Sequence, residues 1–344
     1  MQIKESQLLA PFTTFGVGGP ARWFVEAATE AEVAEASEWA RERGVPLFVL
    51  GGGSNVLVAD AGFAGLVLRI ALKGIERDGE RFRVASGEDW DAFVDQAIGA
   101  GFAGVECLAG IPGTVGGTPV QNVGAYGQEA ASLIERVRAF DLHARTFVEL
   151  SNAECGFSYR RSRFNSVDRE RFVVTRVDFM LKENGAPLLA YQDLKDHFRD
   201  RAKAPTLKET ADAVRAIRRK KGMLIVEGDP DCRSAGSFFK NPSVAPGIAE
   251  RIRQIAAGAG ATPRMFPASD GLVKVPAAWL IEQAGFHKGY ALGPAAISSR
   301  HTLALTNRGS ATAEEILALA DQIASAVEAR FGIKLEREPE LVGH

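Results

Sequence analysis

The chain has 344 residues, and its 41 Lys and Arg nearly balance its 43 Asp and Glu, so the formal net charge at pH 7 is -2. This balance gives no broad positive surface and argues against nucleic acid as the main partner. The hydrophobic share of 46% and the charged share of 24% are typical of a globular protein and exclude a fibrous or largely disordered chain. At about 150 residues a domain, the length predicts two domains.

Membrane insertion, secretion and metal binding lack a sequence signal. The longest uncharged stretch, residues 107–128, carries six Gly and two Pro, which do not suit a membrane-spanning helix. The N-terminal residues lack the sustained apolar run of a secretion signal. Cys107, Cys155 and Cys232 are an odd number without a CxxC spacing, which argues against disulfides and a zinc site. We therefore expect a reduced, cytoplasmic protein without a bound metal ion or a membrane segment.

The first half of the chain predicts helices and strands in alternation. Thr29 and Glu32 form a capping box, and Gly44 closes the helix that follows. The apolar run at residues 45–50 predicts a buried strand that ends at three glycines. The same patterns predict strands at residues 65–70, 81–85 and 172–181, a helix at about 89–98 and a hairpin over 134–150.

The second half begins with a change in composition. Residues 201–221 form a basic stretch, which predicts a domain boundary in this part of the chain. Beyond it, the pattern predicts helices at about residues 246–257, 276–285 and 312–331, the last with a capping box at Thr312. No period of about 20–50 residues repeats, which argues against solenoids and propellers. The elements together predict a mixed α and β fold.

Common nucleotide and metal motifs fail on their context. Residues 16–21 match a dinucleotide-binding fingerprint, but Pro20 is followed by a strand-like run at 22–25 where the fingerprint needs a helix. P-loop, HExxH and GxSxG motifs do not occur. Residues 229–231 begin like a calcium loop but lack the glycine and the final glutamate that such a loop needs.

Two glycine-rich segments remain. Gly51, Gly52 and Gly53 follow the predicted buried strand, where they form either a tight turn or a nest of backbone N–H groups for an anion. Residues 110–127 are too rich in glycine for an ordinary core element and too long for a hairpin loop. Backbone wrapped against a large flat or phosphorylated ligand explains this second segment better.

Seven phrases along the chain resemble one family. They are TTFGVGGPARW, LGGGSNVLV, GVECLAGIPGTVGGTPVQNVGAYG, FSYRRSRF, SAGSFFKNP, AAWLIEQAGF and FGIKLEREPELVG. In this order they are similar to the UDP-N-acetylenolpyruvoylglucosamine reductase (MurB) family, and residues 190–194 resemble the mobile loop of its type I branch, which closes on substrate with a tyrosine. The resemblance covers essentially the whole chain.

The resemblance implies an α+β fold with two domains. Residues 1–200 would form an FAD-binding domain of the vanillyl-alcohol-oxidase (PCMH) type, whose core at about residues 14–184 has two α+β subdomains. Residues 205–344 would form a smaller α+β substrate-binding domain. Its C-terminal tail would contribute to the active site.

The resemblance also implies an enzyme of peptidoglycan precursor synthesis. A UDP-N-acetylmuramate dehydrogenase of this family reduces UDP-N-acetylglucosamine enolpyruvate to UDP-N-acetylmuramate with NADPH and FAD, and we expect a monomer. Relatives in this flavin fold often attach FAD covalently through a histidine of the flavin-binding half. None of the five histidines precedes His143, so we expect noncovalent FAD. Because no separate dinucleotide fingerprint for NADPH occurs, NADPH and the substrate are expected to alternate in one pocket. Two alternatives stay open: another FAD-dependent sugar or alcohol oxidase of the same fold, and a flavin-binding protein without catalysis.

The reduction that the resemblance implies needs a cation for the substrate carboxylate and a proton donor, and three residues are the candidates for this chemistry. It implies Arg160 as the cation, Ser237 as the proton donor and Glu338 as the acid that polarises the carboxylate or reprotonates the serine. Without the resemblance, the sequence favours a surface position for Arg160, a loop or helix-cap role for Ser237 and a charged C-terminal tail around Glu338. Glu336 stays an alternative to Glu338 because Pro339 stands where the family usually has a valine.

The other candidate residues form two groups on the same resemblance. For the cofactor they are Gly51, Gly52, Gly53, Ser54, Asn55, Gly113, Thr114, Gly116, Gly117, Thr118, Gln121, Asn122 and Gly124. For the substrate they are Tyr126, Tyr159, Tyr191, Lys221, Asn241 and His301, with Lys220 as an alternative to Lys221 and a surface role as an alternative for His301.

Overall fold

A computed structural model describes residues 1–258 and 263–344 of the chain. Its strands in chain order are β1 (Lys4–Leu8), β2 (Pro20–Ala27), β3 (Leu47–Leu50), β4 (Val56–Val58), β5 (Phe63–Ile70), β6 (Ile75–Asp78), β7 (Arg81–Ala85), β8 (Phe102–Ala103), β9 (Gly124–Ala125), β10 (Gln128–Glu129), β11 (Ile134–Asp141), β12 (Thr146–Ser151), β13 (Phe172–Met180), β14 (Lys182–Glu183), β15 (Ser243–Val244), β16 (Phe266–Pro267), β17 (Val273–Lys274), β18 (Ala291–Leu292), β19 (Ala295–Ile297), β20 (Leu305–Asn307) and β21 (Glu340–Val342). Its α-helices are α1 (Glu30–Glu42), α2 (Trp90–Gly99), α3 (Asn152–Cys155), α4 (Gln192–His197), α5 (Leu207–Lys220), α6 (Pro246–Gly258), α7 (Ala277–Gln283) and α8 (Ala313–Phe331).

The chain divides into two compact units. The first comprises Met1–Leu8, Pro20–Gly53 and Gly62–Lys220, and the second comprises Leu9–Gly19, Ser54–Ala61 and Lys221–His344. Two short segments of the N-terminal half therefore belong to the second unit, and α5 belongs to the first. The functional boundary at about residues 200–205 stays a prediction.

Two main sheets build the first unit. One has the strand order β1-β2-β5-β3, in which β1 runs antiparallel to β2 and the other pairs are parallel. Helix α1 covers this sheet with Val33, Ala36 and Ala40, which are fully or almost fully buried. The other sheet is antiparallel, in the order β12-β11-β13-β7-β6. Phe82 of β7 and Phe93 of α2 pack edge to face in its core.

The second unit surrounds a separate core. Helices α6, α7 and α8 pack with the small sheet β18-β19-β20, and α8 contributes a buried stripe at helical spacing. Phe238 and Phe239 are buried in this core, which fixes the segment around Ser237. The end of the chain returns to the unit because β21 pairs in parallel with β4.

The predicted α+β class is confirmed, and most predicted elements occur within a few residues of their expected ends. The side chains of Thr29 and Thr312 accept the N–H groups that their capping boxes predict. The hairpin at residues 134–150 is the antiparallel pair β11 and β12. The run after Pro20 is strand β2, as the rejection of the dinucleotide fingerprint required.

One predicted strand starts later than expected. The run at residues 45–50 becomes strand only from Leu47. The N–H of Val45 donates to the carbonyl of Ala40 at the end of α1, 3.1 Å away, and Pro46 has no N–H to give to a ladder. The first two residues of the run therefore terminate the preceding helix.

Candidate active site

The two glycine-rich segments of the first unit touch each other. Strand β3 ends at Leu50, and a Cβ added to Gly52 would lie 2.5 Å from the Cα of Gly113 and 2.9 Å from the backbone nitrogen of Thr114. A Cβ added to Gly51 would lie 3.0 Å from Oγ1 of Thr114. Both backbones approach so closely that only glycine fits at position 52.

The turn after β3 offers N–H groups for an anion. Gly53 is buried and has a φ of 63°, a conformation that glycine adopts at no steric cost. Within the described residues, the backbone N–H groups of Gly52 and Gly53 find no protein acceptor. Successive N–H groups of this kind form an anion nest, and a buried N–H needs a partner. The turn is therefore able to bind an anion, and its role toward the cofactor stays a prediction.

Charged side chains fix the start of the second glycine segment. The carboxylate of Asp91 accepts the N–H of Gly110 at 2.7 Å and also holds Arg215 at 2.7 Å. From the other side, Nε of Arg218 donates to the carbonyl of Gly110 at 2.9 Å. Burial lowers the pKa of the Arg218 guanidinium, which is almost fully enclosed. Neither Asp91 nor Arg218 was among the predicted site residues; the basic stretch that contains α5 is a signal for Arg218, and Asp91 has none.

Two of the predicted cofactor residues shape the loop with their side chains. Oγ1 of Thr118 donates to the carbonyl of Val115 at 2.7 Å. Nδ2 of Asn122 donates to Glu129 and to the carbonyl of Ser158, both at 3.0 Å, and both predicted residues are buried. These side-chain atoms are used inside the protein, which leaves the backbone of this loop to meet a ligand. Their roles toward the cofactor stay predictions, as do those of Gly116, Gly117 and Gln121.

Arg160 lies in a strained turn beside the same loop. Its φ is 54°, a left-handed conformation that is uncommon for a residue with a side chain. Nη2 donates to the carbonyl of Gly124 at 2.7 Å, and a Cβ on that glycine would lie 3.2 Å from Nη1. The guanidinium also lies 5.4 Å from the centre of the Tyr159 ring. The Arg160 guanidinium therefore lies beside the Tyr159 ring, and Tyr159 is 39% exposed.

Tyr126 and Tyr191 are brought together from distant positions in the sequence. Their rings meet edge to face with centroids 5.3 Å apart. Tyr126 is almost fully buried and has a φ of 48°, whereas Tyr191 is 45% exposed at the start of α4. Because Gly124 and Tyr126 are close in the chain, the loop brings three predicted substrate residues, Tyr126, Tyr159 and Tyr191, to one side of the first unit together with the predicted catalytic Arg160.

In the second unit, a short ladder aligns Ser237 with the C-terminal tail. The N–H of Glu338 donates to the carbonyl of Phe238 at 2.9 Å, and the N–H of Lys240 donates to the carbonyl of Glu336 at 2.9 Å. Phe239 and Arg337 form an antiparallel bridge between these two bonds. The register places the backbone of Glu338 beside the residue that follows Ser237.

The ladder separates the two alternative glutamates. Glu336 is 73% exposed and its carboxylate holds Nζ of Lys240 at 2.5 Å. Glu338 is half-buried, and its carbonyl accepts Nδ2 of Asn55, a predicted cofactor residue of the same unit, at 3.2 Å. Pro339 fits because the N–H groups used here belong to its neighbours: that of Glu338 binds Phe238, and that of Glu340 binds Asn55.

Two further substrate candidates of this unit have partners that limit their roles. Oδ1 of Asn241 accepts the N–H of Ala277 at 2.9 Å at the start of α7, so this oxygen is used in the fold. Nδ1 of His301 accepts the N–H of Leu303 at 3.1 Å, which assigns the proton of the neutral ring to Nε2. Burial, with help from nearby Lys221 and Lys288, lowers the pKa of His301 to about 4.

A buried ion network supports the segment before His301. Asp231 is 3% exposed and accepts both the N–H and the hydroxyl of Ser299, at 2.9 and 2.5 Å. Arg300 binds the same carboxylate and that of Asp229. A Cβ on Gly222 would lie 3.0 Å from the Cβ of Asp231, so the chain just after Lys221 packs on this network. Lys220, by contrast, is exposed at the end of α5 in the first unit.

No group of three or more His, Cys, Asp or Glu that is able to hold a metal ion occurs in residues 1–258 and 263–344. None of the helices described there is long and apolar enough to cross a membrane.

Two family models match the chain. The model for the UDP-N-acetylenolpyruvoylglucosamine reductase C-terminal domain matches residues 229–342. A model for an FAD binding domain matches residues 21–146.

Curated relatives and a solved structure are similar over nearly the whole chain. The UDP-N-acetylenolpyruvoylglucosamine reductase of Streptomyces avermitilis is 47% identical over 342 residues, which is 97% of this chain and 93% of the relative. That of Thermobifida fusca is 44% identical, with 97% and 96% covered. The crystal structure of UDP-N-acetylenolpyruvylglucosamine reductase (MurB) from Thermus caldophilus has a TM-score of 0.70, 30% identity and 99% coverage of both chains.

Proposed function

Because the chain belongs to the UDP-N-acetylenolpyruvoylglucosamine reductase family, we propose that it reduces UDP-N-acetylglucosamine enolpyruvate to UDP-N-acetylmuramate with NADPH and noncovalent FAD. The observation that carries this proposal is the 47% identity over 97% of the chain. The product is a precursor of peptidoglycan, so the enzyme serves cell-wall synthesis. The oxidase and the non-catalytic flavin protein have no observation in their favour.

The residues of the first unit fit FAD. Gly51, Gly52 and Gly53 would meet its phosphates through backbone N–H groups, and the loop around Gly113 would lie against it because no side chain stands out from the backbone there. Ser54 and Asn55, which belong to the second unit, follow the first of these segments in the chain. When bound, FAD supplies the hydride that passes from NADPH to the substrate.

The chain's own residues would supply orientation, charge and a proton. Arg160 would bind the substrate carboxylate with its planar fork and stabilise the negative charge that develops on hydride addition. Ser237 would give a proton to the neighbouring carbon, and Glu338 would polarise the carboxylate or return a proton to the serine. The ladder at Phe238 supports the pairing of these last two residues.

Substrate recognition would use the aromatic and basic side chains. Tyr126, Tyr159 and Tyr191 would contact the substrate from the first unit. Lys221 would meet the diphosphate, since Lys220 is exposed on the helix end and Lys221 acts on His301. His301 would donate from Nε2, and Asn241 would donate from Nδ2 because its oxygen is already bound to α7.

We further propose that NADPH and the sugar nucleotide alternate in one pocket, and that the enzyme is a cytoplasmic monomer. The alternation is supported by the lack of a separate dinucleotide fingerprint for NADPH in the sequence. A reducing compartment is supported by Cys107, Cys155 and Cys232, which are all free thiols.

Anaerobic stopped-flow absorbance tests the function. The yellow protein is reduced with NADPH and then mixed with UDP-N-acetylglucosamine enolpyruvate, while the flavin band is followed. Rapid reoxidation by the enolpyruvyl sugar nucleotide is the expected result. Reoxidation only after oxygen is admitted would indicate an oxidase, and a purified protein without bound flavin would overturn the proposal.

A further inference from the structure

One buried carboxylate of the first unit is surrounded by neutral donors. Glu106 is 1% exposed. Its Oε2 accepts the N–H of Gly104 at 2.7 Å, and its Oε1 accepts Nε2 of Gln128 at 2.6 Å and the N–H of Leu188 at 2.9 Å. No Lys, Arg or His among the described residues forms an ion pair with it. Burial of a charge without a counter-ion is costly, so this arrangement calls for a reason.

The neighbouring residues close these bonds into a ring. The N–H of Cys107 donates to Oε1 of Gln128 at 2.8 Å, and Sγ of Cys107 donates to the carbonyl of Leu188 at 3.1 Å. Burial raises the pKa of Cys107 to about 12, so the sulfur keeps the proton that it donates. Both backbone groups of Leu188 are therefore held, the N–H by Glu106 and the carbonyl by Cys107.

The ring joins two segments that carry predicted substrate residues. Gln128 begins β10, directly after the turn formed by Tyr126 and Gly127, and Leu188 precedes Tyr191 by three residues. A Cβ on Gly127 would lie 3.3 Å from the Cβ of Ala190, so the two segments touch at their backbones as well. Tyr191 itself is 45% exposed, and its edge-to-face contact with Tyr126 is a weak restraint compared with a set of buried hydrogen bonds.

We propose that Glu106 is a positioning residue that holds Leu188, and through it Tyr191, beside the Tyr126 turn and thereby sets the affinity for the sugar nucleotide. This inference rests on the proposed function, because it gives Tyr191 a substrate to contact. The carboxylate suits the task since its two oxygens accept three N–H groups from three separate segments, which no neutral side chain of that length does.

A double-mutant cycle tests the inference on the FAD-loaded enzyme. The variants are Glu106→Met, which has a similar volume and no acceptor, Tyr191→Ala, and the two combined. We expect Glu106→Met and Tyr191→Ala each to raise the KM for the sugar nucleotide by about tenfold, with kcat changed by less than about threefold, because an unmade buried hydrogen bond weakens the bound arrangement. The combined variant is expected to show the KM of Tyr191→Ala alone.

Each departure from this pattern has a separate meaning. If the combined variant shows the product of the two single effects, Glu106 does not act through Tyr191 and the inference is overturned. A normal KM for Glu106→Met beside a raised KM for Tyr191→Ala overturns it as well. If the parent enzyme itself fails to reduce the sugar nucleotide, the proposed function fails instead.

Two additional variants guard against a merely structural effect. Cys107→Ala removes only the bond to the Leu188 carbonyl and is expected to raise KM by about threefold, so it keeps the inference testable should Glu106→Met fold poorly. Glu80→Met is the matched control, because exposed Glu80 also accepts a backbone N–H from the chain between β13 and α4, that of Glu183 at 2.9 Å. An equal KM change in Glu80→Met would contradict the role given to Glu106.

Discussion

The two units hold their candidate residues by different means. In the first, glycine backbones pack against each other at Gly52 and Gly113, and buried ionic side chains such as Arg218 fix the loop from behind. In the second, Ser237 and Glu338 are aligned by a short backbone ladder, and Phe238 and Phe239 of this ladder are buried in the core. The first unit therefore suits a large ligand that meets backbone, and the second suits chemistry that needs a few side chains in register.

The difference predicts how each region responds to substitution. A glycine that touches another backbone has no room for relaxation, so one methyl group acts on the whole loop. A side chain that projects from a ladder can be replaced without moving the ladder. Substitutions at the packed glycines of the first unit should therefore remove the cofactor, and those at the ladder of the second should remove a single step of the reaction.

The largest effect is expected from Gly52→Ala. The added Cβ would lie 2.5 Å from the Cα of Gly113, so the turn has to open and the phosphate nest is lost. We expect the purified variant to lose most of its FAD, measured as flavin absorbance relative to protein absorbance. Gly99→Ala is the control, since a Cβ there meets no heavy atom within 4 Å at the end of α2. A full complement of FAD in Gly52→Ala would contradict this account of the glycine contact.

Ser237→Ala sharpens the comparison in the second unit. If the serine supplies the proton, reduction of the sugar nucleotide should slow by about 10²–10⁴-fold, the usual contribution of a positioned acid. Reduction of the flavin by NADPH, measured separately by stopped flow, should keep its parent rate because no proton from the serine is needed in that half-reaction. Ser325→Ala, on an exposed position of α8, controls for the loss of a hydroxyl. Equal slowing of both half-reactions would rule out the assigned role.

Glu338→Gln and Glu336→Gln form a matched pair. The exposed ion pair of Glu336 with Lys240 is worth little, so Glu336→Gln should leave kcat within about twofold of the parent. Glu338→Gln should lower kcat by about a hundredfold, because it removes the acid that acts with Ser237. Steady-state kinetics with saturating NADPH measure both. The reverse order of effects would assign the role to Glu336.

The sequence predicted well what depends on local chemistry. The capping boxes at Thr29 and Thr312 follow from backbone geometry, and the structure has them as expected. The preference for Glu338 over Glu336 also came from the sequence, through the family resemblance. The ion pair of Glu336 supports the same choice on independent grounds.

What the sequence left out depends on contacts between distant residues. Glu106 is a single glutamate before an uncharged run, and nothing local shows that Leu188, 82 residues later, supplies one of its N–H donors. Asn122 has a polar side chain that suits ligand binding, but its amide nitrogen donates to Glu129 and to the carbonyl of Ser158. Such networks are set by tertiary packing, which residue patterns do not encode locally.

The smallest effect concerns the pH dependence of stability. Burial, and then the charges of Lys221 and Lys288, lower the pKa of His301 to about 4 from an ordinary 6.5. The native ring is then neutral where the unfolded ring takes up a proton, so this group favours the folded state fully above pH 6.5 and progressively less as the pH falls toward 4. The loss amounts to at most about 3 kcal/mol, and less to the extent that solvent reaches the ring.

His301→Asn isolates this contribution. Asparagine offers an oxygen for the N–H of Leu303, as Nδ1 of the histidine does, but it does not titrate. Urea unfolding of the FAD-loaded protein at a series of pH values should show a shallower fall in the unfolding free energy of the variant between pH 6.5 and 4. His344→Asn, at the exposed end of the chain, is the control and should follow the parent curve. Parallel curves for the parent and His301→Asn would mean that the ring takes up a proton as readily in the folded protein as in the unfolded one, which would contradict the effect of burial described here.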